Sequence, residues 1–217
     1  MGRTIIIGDI HGCFDELSDL LKLVEVRTDD RMIAVGDLIV KGPKDREVLD
    51  LFIEDDRFSS VIGNHDRALR QYWRGEPIRL TKEQRVAANQ LNSQKERYSA
   101  YLSSLPFTMN LGSHLVVHAG VRPGVPLRRQ MASDLTEIRT MGANPSSRRG
   151  VPWYEVYRGK RIVLFGHWPA KTPRLAPRAI GLDTGCVYGG HLTGYIIELN
   201  QFVSVPARRA YVSSSRR

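Results

Sequence analysis

A chain of 217 residues, 41% hydrophobic and 25% charged, is long enough for one sizeable domain, and its composition excludes a disordered or fibrous protein. No apolar run approaches the roughly 18–20 residues of a membrane-spanning helix, so an integral membrane protein of that kind is excluded too. Lysine and arginine outnumber aspartate and glutamate by 32 to 23, and the net charge of +9 points to a polyanionic partner: nucleic acid, nucleotide or phosphorylated substrate.

The chain runs directly into a strand, Thr4–Gly8, without the longer apolar core and small-residue cleavage site of a secretory signal. Two cysteines, Cys13 and Cys186, make no disulfide framework, and a reducing cytoplasm is the expected setting. An amphipathic helix is predicted from Phe14 to Val26, with Leu17, Leu20, Leu21 and Val24 on one face. A strand over Met32–Gly36, a helix over Asp45–Ile53, a strand over Ser60–Gly63 and a helix over His65–Trp73 follow. Thr81–Ser104 is polar apart from a thin stripe of Val86, Leu91, Tyr98 and Leu102, which predicts a long, largely exposed helix or helical pair. Further strands are predicted at Leu115–Val117, Ile162–Phe165, Ala179–Leu182, Thr193–Glu198 and Phe202–Val205. The Pro-, Gly-, Ser- and Arg-rich stretch Val121–Gly159 reads as loops with one short helix around Asp134–Arg139. No repeat or linker divides the chain. The expectation is a single α/β domain over residues 1–206, its second half richer in antiparallel pairing, followed by a basic C-terminal tail over 207–217.

Five of these strands end alike. Ile-Ile-Ile-Gly leads into Asp9-Ile10-His11, Ile-Ala-Val-Gly into Asp37, Val-Ile-Gly into Asn64-His65-Asp66, Leu-Val-Val into His118-Ala119-Gly120, and Val-Leu-Phe-Gly into His167. Ligands gather outside the carboxyl ends of strands in α/β sheets, so these tips are candidates for one shared site. Two carboxylates, three imidazoles and an amide oxygen suit divalent manganese, iron, cobalt, nickel or zinc better than calcium. A carboxylate bridging two such ions holds them roughly 3.5–4 Å apart; such a pair binds phosphate through two oxygens and generates hydroxide near neutral pH. There is no G-x-S-x-G elbow and no P-loop. His114 and His191 lie outside the pattern and read as satisfied structural residues.

The motifs Gly8-Asp-Ile-His-Gly12, Gly36-Asp37, Gly63-Asn-His-Asp66, His118-Ala-Gly120 and Gly166-His167 resemble, in order and spacing, those of the calcineurin-like metallophosphoesterase superfamily. Within it, the stretches Gly8–Leu17, Phe165-Gly-His-Trp168 and Gly181–Thr193 are most similar to symmetrical diadenosine tetraphosphatases and their ApaH-like and PrpE-like relatives. The resemblance implies an α/β/β/α sandwich of mixed sheets and a site for two divalent ions, with manganese the first expectation and cobalt, iron, nickel and zinc the alternatives. Asp9 and His11 would hold one ion, Asp37 would bridge, and Asn64, His118 and His167 would hold the other. A water between the ions would be the nucleophile, and His65 the general acid or phosphate donor. The implied reaction is cleavage of diadenosine tetraphosphate into two ADP.

One run departs from the family's G-D-x-x-D-R-G: here it is Gly36-Asp-Leu-Ile-Val-Lys-Gly42. Val40 stands where an aspartate would partner the catalytic histidine, and Lys41 where an arginine would bind phosphate. Losing the carboxylate leaves His65 to find another acidic partner, such as Asp66, or to act as a weaker acid. The exchange fits a nucleoside diphosphate leaving group, which needs less protonation than a serine alkoxide. Lys41 and Arg122 are the first candidates to grip a polyphosphate and Arg139 the next, while Tyr188 and Trp168 border the site and could stack on adenine. Cys13 and Cys186 read as small reduced residues near the metals and not as ligands. The alternatives are a broad phosphomonoesterase or protein serine/threonine or tyrosine phosphatase on the same centre, cleavage at an RNA 5′ end, and a nucleotide- or RNA-binding module on a decayed scaffold. The complete ligand set argues against the last, and no membrane partner is expected.

Overall fold

The computed structural model describes residues 2–213. Two five-stranded sheets face each other. In the first, β1 (Thr4–Ile7), β2 (Arg31–Ala34) and β3 (Phe58–Ser60) are parallel, while β9 (His191–Ile196) runs antiparallel to β1 and forms a hairpin with β10 (Gln201–Pro206). In the second, β5 (His114–Val117), β6 (Ile162–Phe165) and β8 (Ala179–Gly181) are parallel, edged by antiparallel β4 (Thr108–Leu111) and β7 (Arg174–Ala176).

The continuous apolar runs are explained by burial on both faces. Ile6, Ile33, Val35 and Val61 of the first sheet meet Val116, Leu164 and Leu182 of the second in a core between the sheets. Alternate residues point outward. Ile5, Ile7, Met32 and Ala34 pack under α1 (Phe14–Leu23) and α2 (Asp45–Glu54) through Leu17, Leu20, Val48 and Leu49. Leu115, Val117, Val163 and Phe165 pack under α6 (Ala132–Glu137) and α7 (Trp153–Val156) through Leu135 and Trp153. The result is the expected helix–sheet–sheet–helix sandwich.

The helical pair is α4 (Lys82–Gln90) and α5 (Lys95–Ser104), preceded by α3 (Asn64–Trp73). Leu91, Tyr98 and Leu102 are buried as the stripe requires, whereas Val86 is exposed. Three elements had no sequence expectation. β4, Thr-Met-Asn-Leu, and β7, Arg-Leu-Ala, are short edge strands with only half-buried or exposed residues and little periodicity, and α7 is one turn long.

The described part of the basic C-terminal stretch, residues 207–213, lies against the domain: the Ala207 amide donates to the Gly190 carbonyl (2.8 Å) and that of Tyr211 to Val187 (3.0 Å). Arg216 and Arg217 fall outside the described residues. Among those residues no helix is long and apolar enough to cross a membrane.

Candidate metal centre

All six parallel strands send their carboxyl ends to one place. Asp9 and His11 follow β1, Asp37 follows β2, Asn64 and His65 open α3 after β3, His118 follows β5, His167 follows β6 and Asp183 follows β8. Ligand atoms of Asp9, Asp37 and His118 lie within 4.8 Å of one another, and so do those of His11, Asp37 and His65, so Asp37 belongs to both groups. Its Oδ2 is 3.5 Å from Nε2 of His11 and 3.5 Å from Nε2 of His118, while Oδ1 accepts the His65 amide at 2.9 Å. Asn64 Oδ1 sits 3.0 Å from His118 Nε2 and 3.0 Å from His167 Nδ1. The carboxylate of Asp9 accepts the His167 amide at 3.0–3.1 Å. The glycines of the motifs make this convergence possible: a Cβ at Gly63 would overlap the Asp37 carboxylate, and one at Gly166 that of Asp9.

Backbone carbonyls set the imidazole tautomers. A carbonyl can only accept, so Nδ1 of His11 donates to Ile39 (3.3 Å), Nδ1 of His118 to Val35 (2.9 Å) and Nε2 of His167 to Glu137 (3.2 Å). Burial holds all three rings neutral, lowering His118 to about 4 and the other two well below the usual range. The opposite nitrogens therefore present lone pairs inward toward Asp37 and Asn64. That is the arrangement in which an imidazole binds a metal while its far nitrogen is held by an outer partner.

His65 is held the other way round. The Thr81 amide donates to Gln84 Oε1 (2.9 Å), which fixes the orientation of that side-chain amide. Gln84 Nε2 then faces His65 Nδ1 at 3.3 Å and must donate to it, leaving the proton of the neutral ring on Nε2. Burial also keeps His65 neutral. Its ring meets that of His11 edge-on, with centroids 5.3 Å apart. Three imidazoles thus offer lone pairs and the fourth a proton.

Buried carboxyls crowd the same cavity. Asp9 is pushed up by burial and by Asp183, and Asp37 and Asp183 are each pushed up to about 6, chiefly by burial. Nearby cations work against this: Lys41 Nζ lies 2.9 Å from His11 Nε2, and Arg139 favours ionised Asp37. The backbone is strained here. Asp37, Val40, Lys41, His11 and His167 all have positive φ, from 49° to 80°, among only seven non-glycine residues that do so within the described chain. The donor set fits two divalent cations, which would offset the buried negative charge and use every inward lone pair.

Several expected residues are placed otherwise. Asp66 is not the partner of His65: its carboxylate accepts the amides of Gly63 (3.1 Å), Leu38 (3.3 Å) and Ile39 (3.4 Å), tying the β2 and β3 tips together. Val40 is fully buried in the core and its amide donates to Asp45. Arg122 is not brought to the cluster: its guanidinium makes a two-pronged pair with Asp134 (2.7 and 2.8 Å) in a separate groove lined by Val121, Leu127 and Arg158. Arg139 is near enough for its charge to favour ionised Asp37; its Nη1 donates to the Ser146 carbonyl (2.8 Å), and its Nε is buried and unpartnered. Lys41 lies 5.5 Å above the ring of Tyr188, while Trp168 is covered by Arg174 at 4.5 Å. Cys13 and Cys186 are free and buried, grouped with Glu16 and apart from the two clusters around Asp37.

Two residues escaped the sequence reading. Asp183 follows β8 as Asp9 follows β1, and Gly181-Leu-Asp183 carries the same strand–glycine–carboxylate signal. Gln84 was visible in Thr81-x-x-Gln84, a helix-capping signature.

A family model described as calcineurin-like phosphoesterase matches residues 2–195. The chain is similar to the asymmetrical bis(5′-nucleosyl)-tetraphosphatase PrpE of Bacillus subtilis strain 168, with 32% identity covering 96% of each chain. It is also similar to the symmetrical bis(5′-nucleosyl)-tetraphosphatase of Vibrio parahaemolyticus, with 30% identity over 88% of this chain and 93% of the relative. A crystal structure described as a putative diadenosine tetraphosphatase superposes with a TM-score of 0.83 at 34% identity, covering 95% of this chain and 94% of the other.

Proposed function

This chain belongs to the calcineurin-like phosphoesterase family, and on that premise we propose that it hydrolyses bis(5′-nucleosyl) tetraphosphates at a dinuclear site held by Asp9, His11, Asp37, Asn64, His118 and His167. The observation that carries the reading is the opposed tautomers: three imidazoles locked with lone pairs inward around Asp37, and His65 locked with an N–H to donate. When bound, two divalent ions, manganese first among them, would supply Lewis-acid activation of water and of the attacked phosphate.

The chain's own groups do the rest. Asp37 and Asn64 space the ligand nitrogens. His65, neutral, donates a hydrogen bond from Nε2–H to the phosphate or to the departing oxygen and keeps its proton. Lys41 and Arg139 place positive charge where a phosphate chain would enter, and Asp183 adds negative charge behind the ligands. A phosphoanhydride leaving group is already a weak base, which suits a neutral imidazole with no carboxylate behind it.

The finer question is which anhydride is cut. The motif resemblance favours symmetrical cleavage into two ADP. The PrpE relative, which aligns with more of this chain than the symmetrical one, carries the asymmetrical name, and we take ATP plus AMP as the expected products. The test is direct: metal-stripped protein resupplied with manganese or cobalt is incubated with diadenosine tetraphosphate, and the nucleotides are separated. ATP with AMP supports the reading in full, and ADP alone keeps the activity but restores the symmetrical cut. Absence of turnover, with rapid phosphate release from a phosphopeptide, overturns it in favour of a protein phosphatase.

A further inference from the structure

Two adjacent arginines near the carboxyl end of the chain have different fates. Arg208 is an anchor. Its amide donates to Glu16 Oε1 (2.9 Å), and its guanidinium reaches Asp19 (2.9 Å) and Asp15 (3.3 Å) on α1. The Tyr211 hydroxyl donates to the same Glu16 oxygen (2.8 Å), and Glu16 is buried. With the Ala207 and Tyr211 main-chain bonds, these contacts fix the segment on the domain.

Arg209 makes no ion pair among the described residues. It is exposed, and its guanidinium lies 5.2 Å from the centroid of the Tyr211 ring. With Tyr211 it forms one wall of a groove of about 410 Å³ whose other wall is Lys41, Gly42 and Pro43. Lys41 is the link to the reacting centre, because its ammonium also contacts His11. A second cavity of about 180 Å³ also opens on Lys41 and Gly42, but there Lys82 is offset by Glu83 and Asp45, so the basic path runs through the first groove. Positive charge therefore continues from the proposed ligands along Lys41 to Arg209. A monoester, with one phosphate, has nothing to place there, whereas a chain of phosphates does. Stacking on Tyr211 holds the guanidinium plane while its donors stay free for a two-pronged grip on phosphate.

We propose that residues 207–213 are a substrate-binding arm in which Arg209, together with Lys41, holds the phosphates of a nucleoside polyphosphate that lie beyond the one attacked. The proposal rests on the phosphohydrolase reading of the site and deepens it by assigning the site's preference for polyphosphates over monoesters to a segment outside the metal ligands.

The test is binding, so that it stands apart from turnover. Calorimetric titrations of the full chain with inorganic tripolyphosphate and with orthophosphate, at one fixed free concentration of divalent ion, give a ratio of affinities. The wild-type ratio should favour tripolyphosphate, and Arg209→Ala should shrink it about tenfold, the value of one charge-assisted contact. Arg209→Lys should restore part of it. Arg208→Ala, which releases the arm, should shrink it too, while Arg128→Ala, an exposed arginine lining neither cavity, should not. An unchanged ratio in Arg209→Ala, a wild-type ratio near one, or an equal loss in Arg128→Ala overturns the proposal. A wild-type chain that binds tripolyphosphate through Arg209 yet leaves diadenosine tetraphosphate intact would sink the functional reading and not the arm.

Discussion

Buried aspartates sit at both ends of the parallel strands, in opposite states. At the amino end of β2, Asp30 accepts hydrogen bonds from the Arg3 amide (2.8 Å), the Arg3 guanidinium and the Arg27 amide (2.9 Å), and Arg3 holds its carboxyl well below the usual range. At the carboxyl end of the same strand, Asp37 accepts a single amide, from His65, and its other oxygen faces two imidazole nitrogens that carry no proton. Its carboxyl is pushed up to about 6. Both are closed to solvent, at 1% and 2% exposure. Asp37 lies deeper, and burial is what raises it, whereas Asp30 is held down by its supply of donors, Arg3 first. One end of the sheet spends its aspartate on stability; the other leaves negative charge and lone pairs that Lys41 meets only at His11 and that divalent cations would satisfy in full.

Replacing Asp37 by asparagine should have the largest effect. It is expected to lower kcat roughly a thousandfold, about 4 kcal/mol, by removing the carboxylate common to both ligand groups. The metal-free chain should not suffer, because an asparagine amide in place of Oδ2 can donate to the His11 or His118 lone pair. A carboxyl with a raised pKa stabilises the fold only while protonated, so at neutral pH the wild-type Asp37 is a liability that the variant lacks. Thermal melting with and without manganese checks both halves: the variant should melt no lower than wild type without metal and lose the rise that manganese produces. A lower metal-free melting temperature would break the contrast between the two ends.

Asp30→Asn should do the reverse, costing about 2–3 kcal/mol of stability while leaving the manganese-induced rise in place. The depressed pKa of Asp30 means that its contribution is fully present above about pH 4, the ordinary carboxylate value, and is lost as pH falls below it. Urea unfolding at pH 7 should separate variant from wild type clearly, and the gap should narrow at pH 3. A constant gap would mean that packing, and not the ion pair, is what the aspartate supplies.

The strand cores were legible because each is apolar on both faces. Ile5 to Ile7, Met32 to Val35 and Val163 to Phe165 could be read as strands without knowing which face met a helix and which the other sheet. The strand tips were legible for a related reason, since a glycine followed by aspartate or histidine stands out against such runs. β4 and β7, half-buried or exposed throughout, left no comparable signal. Among the arginines, the sequence puts Arg122 ahead of Arg139, and the structure instead ties Arg122 to Asp134 away from the cluster. That ranking depends on whether a carboxylate lies within reach: α6 brings Asp134 to Arg122, while the charge of Arg139 is felt at Asp37. Val40 showed that the usual acidic partner of His65 is missing, but its replacement, Gln84, arrives from α4, nearly twenty residues further along the chain.

That replacement supplies the smallest and most discriminating prediction. A carboxylate behind the histidine would accept from Nδ1 and favour the imidazolium; an amide that donates to Nδ1 favours a neutral ring with its proton on Nε2. Gln84→Ala should therefore lower kcat about tenfold with KM within twofold, because the ring loses its fixed tautomer and no contact with bound substrate is removed. Thr81→Ala, which weakens the capping bond but leaves Gln84 in place, should lose less. Nitrogen NMR of the imidazoles reads the cause directly. Wild type should show His65 as the Nε2–H tautomer and Gln84→Ala a mixture of the two, with His11, His118 and His167 unchanged because backbone carbonyls hold them. If Gln84→Ala kept a single His65 tautomer and full kcat, the fourth imidazole would be oriented by its position on α3 alone, and the opposition between lone pairs and proton would carry no catalytic weight.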